Sequence, residues 1–418
     1  MKRTLDSKVL ERIESVPIPQ VRKCAIAYSG GLDSTLGIEL LRRVYRADTI
    51  IPITVDVGQG REEIELAERR SAKLQVQPLL IDARELFSRE WLAKAIQANG
   101  NYWGYPVSTS MTRQLIAQAV AWKAAELGCD AVLEGSTGRG NDQYRMHNVF
   151  KMFAPQLQIL VPVRDFDLTR AEELELCRQW GVPVEEIISG GDDKTLWCRS
   201  IASGAIALNQ EIPDSIWMWY VPPERAEDRA EVLELTFRQG LPVALDGESL
   251  DLVALIERLN RRAGACGLGR IDIFEDGIMG LKSREIYEAP AAEVILKVKA
   301  DLEGQCLSKE EREFKRLVDN RWASMVYHGE WFHPLKEELD AFVECSQKHV
   351  NGTVKVKLYK GNLEILERER SWSSLFYPEI RSIEGSGFDQ RWCADAAKVR
   401  GLPFEILARR DKRRKEKL

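Results

Sequence analysis

From residue 21 to residue 190 short apolar runs alternate with longer stretches in which apolar residues recur every three or four positions. The runs at 24–29 (CAIAYS), 49–56 (TIIPITVD), 77–82 (QPLLID), 130–136 (DAVLEGS) and 158–163 (QILVPV) predict strands. Helices are predicted between them at 34–45, with Leu36, Leu40 and Leu41 on one face, and at 62–74, 85–98, 113–127 and 169–181. Strands alternating with helices about every thirty residues build βαβ units, so the expected fold is α/β, a doubly wound parallel sheet with ligands at the C-terminal strand ends. After Trp197 the pattern becomes α+β: a hairpin at 231–247, a helix at 249–264, strands with turns at 270–290, a helical stretch at 309–350, and a hairpin at 353–369 turning at Lys360-Gly361-Asn362. This predicts an extension at 1–20, a nucleotide-binding domain at 21–190, a substrate and multimerisation domain at 191–385, and a C-terminal arm with a basic tail at 386–418.

With 418 residues and 44% hydrophobic content the chain can bury a large core. Its 60 basic and 65 acidic residues give a net charge of -5, which offers no general attraction to nucleic acid and favours small-molecule substrates. Eight cysteines are scattered without a Cys-x-x-Cys pair, the pattern of reduced thiols rather than a zinc site. Neither a signal-peptide core nor an apolar run near the roughly 18 residues of a membrane span is present, so a cytoplasmic location and no membrane partner are expected. The last ten residues hold seven Lys or Arg and read as a solvated, frayed terminus.

The chemistry concentrates in loops after strands. Ser29-Gly30-Gly31-Leu32-Asp33-Ser34 joins the first strand to the first helix. Two glycines let backbone N–H groups approach an anion, Ser29 and Ser34 add hydroxyls, and the helix N-terminus adds positive potential. Neither the Walker spacing nor Gly-x-Gly-x-x-Gly occurs there. The loop resembles the signature of the ATP pyrophosphatases, which bind the β- and γ-phosphates of ATP and release them as pyrophosphate. A second loop, Ser136-Thr137-Gly138-Arg139-Gly140-Asn141-Asp142-Gln143-Tyr144-Arg145, crowds an amide, a carboxylate and cations at a sheet edge, as a site for a zwitterion beside phosphates requires.

Together with 55–59 (VDVGQ), 109–113 (TSMTR), 160–164 (LVPVR), 195–200 (TLWCRS), 267–276 (GLGRIDIFED) and 280–290 (GLKSREIYEAP), these loops make the chain similar to the argininosuccinate synthases from about residue 22 onward. The resemblance implies an AMP-forming ligase: the ureido oxygen of citrulline attacks the α-phosphorus of MgATP, and the amino group of aspartate then displaces AMP. It implies that Ala27, Tyr28, Ser29, Gly30, Gly31, Leu32, Asp33, Ser34, Thr35 and Val55 contact ATP, with Gly135, Ser136, Thr137, Gly138, Arg139, Gly140 and Asn141 closing from the other side. Asp33, Arg139 and Asp142 would serve the chemistry; Thr137, Asn141 and Asp142 would hold aspartate. Thr109, Ser110 and Arg113 would line the amino-acid sites, and Tyr102, Arg145, Ser200, Glu275 and Tyr287 would meet the ureido substrate. ATP and Mg²⁺ are implied, with no resident metal site, and the assembly implied is a homotetramer.

The family pattern is altered where the ureido substrate should sit. Gly191 replaces a serine, Ala202 a carboxylate, and Glu285 a glycine, and Met111-Thr112-Arg113-Gln114 stands for Leu-Ala-Arg-Pro. Citrulline and a different ureido, guanidino-precursor or amide compound therefore both stand as substrates. A transfer-RNA-modifying enzyme of the same superfamily and a non-catalytic nucleotide-binding regulator are the readings from other classes.

Overall fold

The computed structural model describes residues 7–183, 193–201, 209–369, 371–381 and 387–416. The chain forms two compact units, Met1–Ser373 and Ser374–Leu418.

In the first unit, strands β1 (Lys23–Ala27), β2 (Thr49–Asp56), β3 (Leu79–Asp82), β4 (Ala131–Leu133) and β5 (Gln158–Leu160) form an all-parallel sheet in the order β3-β2-β1-β4-β5. Cys24, Ala25 and Ile26 of the central strand are fully buried because helices cover both faces. One layer carries Leu36, Leu40, Leu41, Phe166 and Leu176; the other carries Phe87, Trp91, Leu115, Val120 and Phe150. The chain leaves β1 toward β2 and returns to the other side of β1 as β4, so the strand order reverses between β1 and β4. At such a switch point the two post-strand loops diverge and leave a crevice. The site is built there.

Several predicted boundaries move for identifiable reasons. The fourth strand ends at Leu133 rather than 136, freeing Glu134 to Ser136 for the loop. The third begins at Leu79, since Pro78 has no N–H for a ladder, and the fifth ends at Leu160, since Pro162 opens a short helix, Pro162–Asp165. The helix at 113–127 starts earlier, at Thr109, which places Ser110 and Arg113 on its first turns. The helix at 85–98 carries a π segment, Phe87–Leu92. Residues 142–153, read as loop at their start, form the helix Asp142–Phe153, and Ser7–Ser15 is helical.

Beyond residue 192 come β6 (Asp193–Lys194), β7 (Arg199–Ile201), β8 (Glu231–Arg238), β9 (Leu241–Leu245), β10 (Glu248–Ser249), β11 (Arg270–Asp276), β12 (Lys282–Glu288), β13 (Gly352–Tyr359) and β14 (Asn362–Arg368). They form an antiparallel sheet β10-β9-β8-β13-β14 and a smaller one, β11-β12-β7-β6. Both predicted hairpins form; Lys360 and Gly361 take φ of 44° and 81°, the left-handed pair a two-residue turn demands. The helix Pro290–Cys306 was not predicted, and the stretch 309–350 divides into Lys309–Tyr327 and Pro334–Gln347.

In the second unit the helix Trp392–Lys415 buries no residue and exposes Trp392, Val399, Leu402, Phe404 and Ile406. The basic run is thus helical through Lys415 rather than frayed, consistent with Lys and Arg complementing a helix C-terminus. Among the described residues no helix is long and apolar enough to cross a membrane.

Candidate active site

The loop after β1 is held from below and left open above. Gly30 has φ of +76°, and a Cβ there would come 2.6 Å from Cα of Ala67, so only glycine lets the loop lie on the helix Arg61–Lys73. Arg70 of that helix donates to the Gly30 carbonyl at 2.6 Å. Gly31 caps the helix Leu32–Arg43 in an extended conformation with no side-chain acceptor, leaving its first N–H groups for a ligand. Ser29 Oγ lies 3.3 Å from Ser34 Oγ and accepts from the Gly31 N–H at 3.2 Å. Thr54 Oγ1 donates to the Tyr28 carbonyl at 2.9 Å. The side chains of Tyr28, Leu32, Thr35 and Val55 are buried in the domain core, and Ala27 ends β1 opposite Ile53. These residues therefore offer backbone, not side chain, to the crevice.

Asp33 points out of the first helical turn and takes an ion pair from Arg170 at 2.7 Å. Behind it Glu173 is buried, and burial together with the neighbouring Asp33 pushes its carboxyl well above the usual range.

The loop after β4 meets the first one directly. A Cβ on Gly135 would lie 3.0 Å from Cβ of Asp33 and 3.3 Å from N of Ser34, so the two loops touch at the switch point. Glu134 is 1% exposed; Ser136 Oγ donates to its Oε2, while its Oε1 has no partner among the described residues. Burial pushes this carboxyl up to about 7, against the pull of the Ser136 hydroxyl. Thr137 is half-buried, and Gly138, Arg139 and Gly140 are exposed at the loop crest.

Asn141 and Asp142 are anchored rather than free. Asn141 Nδ2 donates to Tyr327 Oη at 3.0 Å, and its Oδ1 accepts from the Ile278 N–H at 2.8 Å. Asp142 opens its helix and accepts from Arg113 Nε at 2.7 Å and from Arg145 at 3.0 Å. Burial alone would raise its carboxyl, but the two guanidiniums outweigh burial and lower it. Arg113 also pairs with Asp193 of β6, tying the α/β domain to the smaller sheet.

One face of that sheet forms the third wall. In the β11–β12 register Glu275 faces Ser283, Ile273 faces Glu285 and Ile271 faces Tyr287, and Ser200 of β7 faces Tyr287. Alternation puts Glu275, Glu285, Tyr287, Ser200 and Asp193 on one side. Tyr287 Oη donates to Glu275 Oε1 at 2.6 Å and Tyr327 Oη to Oε2 at 2.7 Å. Burial raises the Glu275 carboxyl despite these two donors. Tyr102 stacks on Tyr327 at 3.9 Å, and Tyr105 on Tyr287 at 4.6 Å. Tyr105 Oη takes the Ser108 N–H at 2.8 Å and lies 2.9 Å from Thr109 Oγ1. Ser110 Oγ is buried with no partner among the described residues. Arg145 is buried, donating from Nε to the Tyr327 carbonyl at 2.9 Å with its guanidinium 4.9 Å above that ring.

The predicted residues thus lie on two touching loops, on the first turns of the helices Thr109–Glu126 and Asp142–Phe153, and on one sheet face, with Tyr102 stacked on Tyr327 beside them. The altered positions Gly191 and Ala202 lie outside the described residues; Glu285 lies on the third wall. Tyr105, Tyr327, Asp193 and Glu134 were missed. Tyr105 had a signal, since it stands four residues before Thr109 in the same run, and Asp193 lies two residues before 195–200; Tyr327, remote in sequence, had none.

Comparison with known proteins covers most of the chain. The model of the arginosuccinate synthase N-terminal HUP domain matches residues 23–183, and that of the arginosuccinate synthase C-terminal domain matches residues 191–407. The argininosuccinate synthase of Methanopyrus kandleri is 42% identical over 392 residues, spanning 93% of this chain and 99% of the relative. That of Methanocaldococcus jannaschii is 41% identical, spanning 94% and 100%, and that of Methanococcus maripaludis 40%, spanning 93% and 98%. The chain belongs to the argininosuccinate synthase family and is an AMP-forming carbon–nitrogen ligase of its kind.

Proposed function

We propose that the enzyme adenylates the ureido oxygen of citrulline with MgATP and condenses the adenylate with L-aspartate. In the first step the ureido oxygen bonds to the α-phosphorus and pyrophosphate leaves. In the second the aspartate nitrogen, attacking as the free amine, bonds to the ureido carbon, AMP leaves with the oxygen, and the nitrogen gives up one proton while keeping the other in the product. No side-chain nucleophile takes part; positioning and charge neutralisation do the work. Ser29, Gly30, Gly31 and Ser34 with the helix N-terminus would hold the pyrophosphate portion, Asp33 would help hold the Mg²⁺ that accompanies ATP and neutralises its phosphates, and Gly135 to Asn141 with Arg139 would close over the nucleotide.

Thr137, Asn141 and Asp142 receive aspartate, with Asp142 accepting from its amino group. Thr109, Ser110, Tyr105, Ser200, Glu275 and Tyr287 surround the ureido substrate; Arg113 and Arg145 keep Asp142 ionised. The observation that carries this reading is the contact between Gly135 and Asp33, which sets the two nucleotide loops against each other, with Asn141 of the second bonded through Tyr327 to Glu275. Sustained turnover of ATP to pyrophosphate that requires both aspartate and citrulline tests it; turnover with aspartate and another ureido compound alone would move the substrate assignment and keep the reaction. The altered residue Glu285 on the third wall is the observation favouring that second outcome.

We also propose division near residue 190 into nucleotide-binding and substrate domains, a homotetramer, and a cytoplasmic site of action. The apolar residues exposed on Trp392–Lys415 support an assembly, which light scattering on the intact chain reads. All eight cysteines are unpaired, which supports a reducing compartment and is checked by fractionation.

A further inference from the structure

Glu285 is a half-buried carboxylate on the substrate-facing side of β12, and no basic side chain among the described residues forms an ion pair with it. The charged groups acting on it are Glu275 from β11 and Arg145 and Asp142 from the helix Asp142–Phe153, with the Ser283 hydroxyl beside it. Both arginines near this pocket are already committed: Arg113 to Asp142 and Asp193, Arg145 to Asp142 and to the Tyr327 carbonyl. Glu275 is committed as well, each oxygen taken by a tyrosine hydroxyl. Burial, reinforced by Glu275 and Asp142, pushes the Glu285 carboxyl up to about 7. No cation among the described residues pairs with this carboxylate, and Arg145 attracts it only from a distance. On the same side of the sheet Tyr287 stacks on Tyr105, whose hydroxyl accepts from the Ser110 N–H at 3.3 Å, and the Ser110 hydroxyl is itself buried with no partner among the described residues.

We propose that Glu285 is a specificity-determining residue that pairs with an ammonium group of the ureido substrate, so that the enzyme selects amino-acid ureides over uncharged or purely anionic ones. The proposal rests on the ureido-ligase reading above. It assigns to Glu285, not to the tyrosine-bound Glu275, the contact with the cation. Ile201, the last residue of β7, pairs with Ile286, so Glu285 stands where the β7–β12 ladder ends.

The test compares citrulline with 5-ureidopentanoate, which has the same chain without the ammonium, in wild type, Glu285→Gln and Glu285→Asp. Pyrophosphate release is followed with aspartate and MgATP, and citrulline binding is measured separately by calorimetry. Wild type should prefer citrulline in kcat/KM by about 10- to 100-fold, the range of one charge-assisted contact. Glu285→Gln should raise KM for citrulline about tenfold and so shrink the preference over 5-ureidopentanoate by a similar factor, with Glu285→Asp recovering part of the loss. Equal use of both compounds by wild type, or an equal change for both in Glu285→Gln, overturns the assignment and leaves the ligase reading intact. Citrulline binding that weakens in Glu285→Gln without pyrophosphate from any ureide supports the assignment and overturns the ligase reading. No citrulline binding to wild type overturns the assignment, and overturns the ligase reading as well only if no ureide gives pyrophosphate.

Discussion

Arg113 Nε sits 2.7 Å from Asp142 Oδ2, joining the first turns of two helices, and the same guanidinium continues to Asp193 on the smaller sheet. A planar fork with two carboxylates in reach fixes both elements in one register. Removing it leaves two partly buried carboxylates short of a cation. Arg113→Ala should therefore raise KM for aspartate by at least about tenfold and lower stability by about 1–3 kcal/mol, with Arg113→Lys intermediate because an ammonium lacks the fork. Steady-state kinetics and a thermal melt check both; an unchanged KM would remove Asp142 from the aspartate site.

Gly30→Ala tests the phosphate loop. The left-handed φ of +76° and the 2.6 Å approach to Ala67 mean that a methyl group must push the loop off the helix beneath it. We expect a loss of about 1–3 kcal/mol in stability and a fall of at least about 100-fold in kcat/KM for ATP. Gly128→Ala is the control: it also has positive φ, at 65°, but its Cβ would meet nothing within 4 Å, so it should retain activity.

Tyr327→Phe removes a hydroxyl that donates to Glu275 and accepts from Asn141. The ring, and with it the stacking on Tyr102, remains. Two polar groups on two walls each lose one bond, at about 1–3 kcal/mol. Kinetics should show KM rising for both aspartate and the ureido substrate by about 5- to 100-fold, because the hydroxyl spans both. A rise confined to one substrate would mean that the walls act independently.

Glu134 gives stability a pH dependence. Its carboxyl is raised from 4.5 to about 7 by burial, so between those values the folded chain holds a proton that the unfolded chain has released. Its contribution is fully present below about pH 4.5 and is lost as pH rises through 7, an effect on the order of 3 kcal/mol. Glu134→Gln should flatten the stability curve across that window, as denaturant titrations at pH 5, 6 and 7.5 would show. A slope equal to that of wild type would contradict the burial account.

The parallel sheet was legible because its strands and amphipathic helices carry opposite periodicities, and both nucleotide loops because glycine and hydroxyl residues cluster just after strands. The helix Pro290–Cys306 was not legible: it is buried nearly all round, and its Lys299 and Glu303 are polar residues paired with each other inside the core, 2.6 Å apart, which erases the polar face a pattern needs. Strands as short as Asp193–Lys194 and Arg199–Ile201 contain too few residues to show alternation. Asp142 reads as a turn beside Asn141 until one sees it at a helix N-terminus, where a carboxylate is favoured by the dipole. Tyr327 joins Asn141 across 186 positions and Glu275 across 52, contacts that only packing creates.

The central claim is that the two touching loops and the wall behind Asp142 transfer AMP to a ureido oxygen. Citrulline labelled with ¹⁸O in its ureido group, incubated with enzyme, MgATP and aspartate, tests this directly by mass spectrometry of the nucleotide product. The account predicts pyrophosphate and one label in the phosphate of AMP for each bond formed; unlabelled AMP, or ADP and inorganic phosphate in its place, would contradict it.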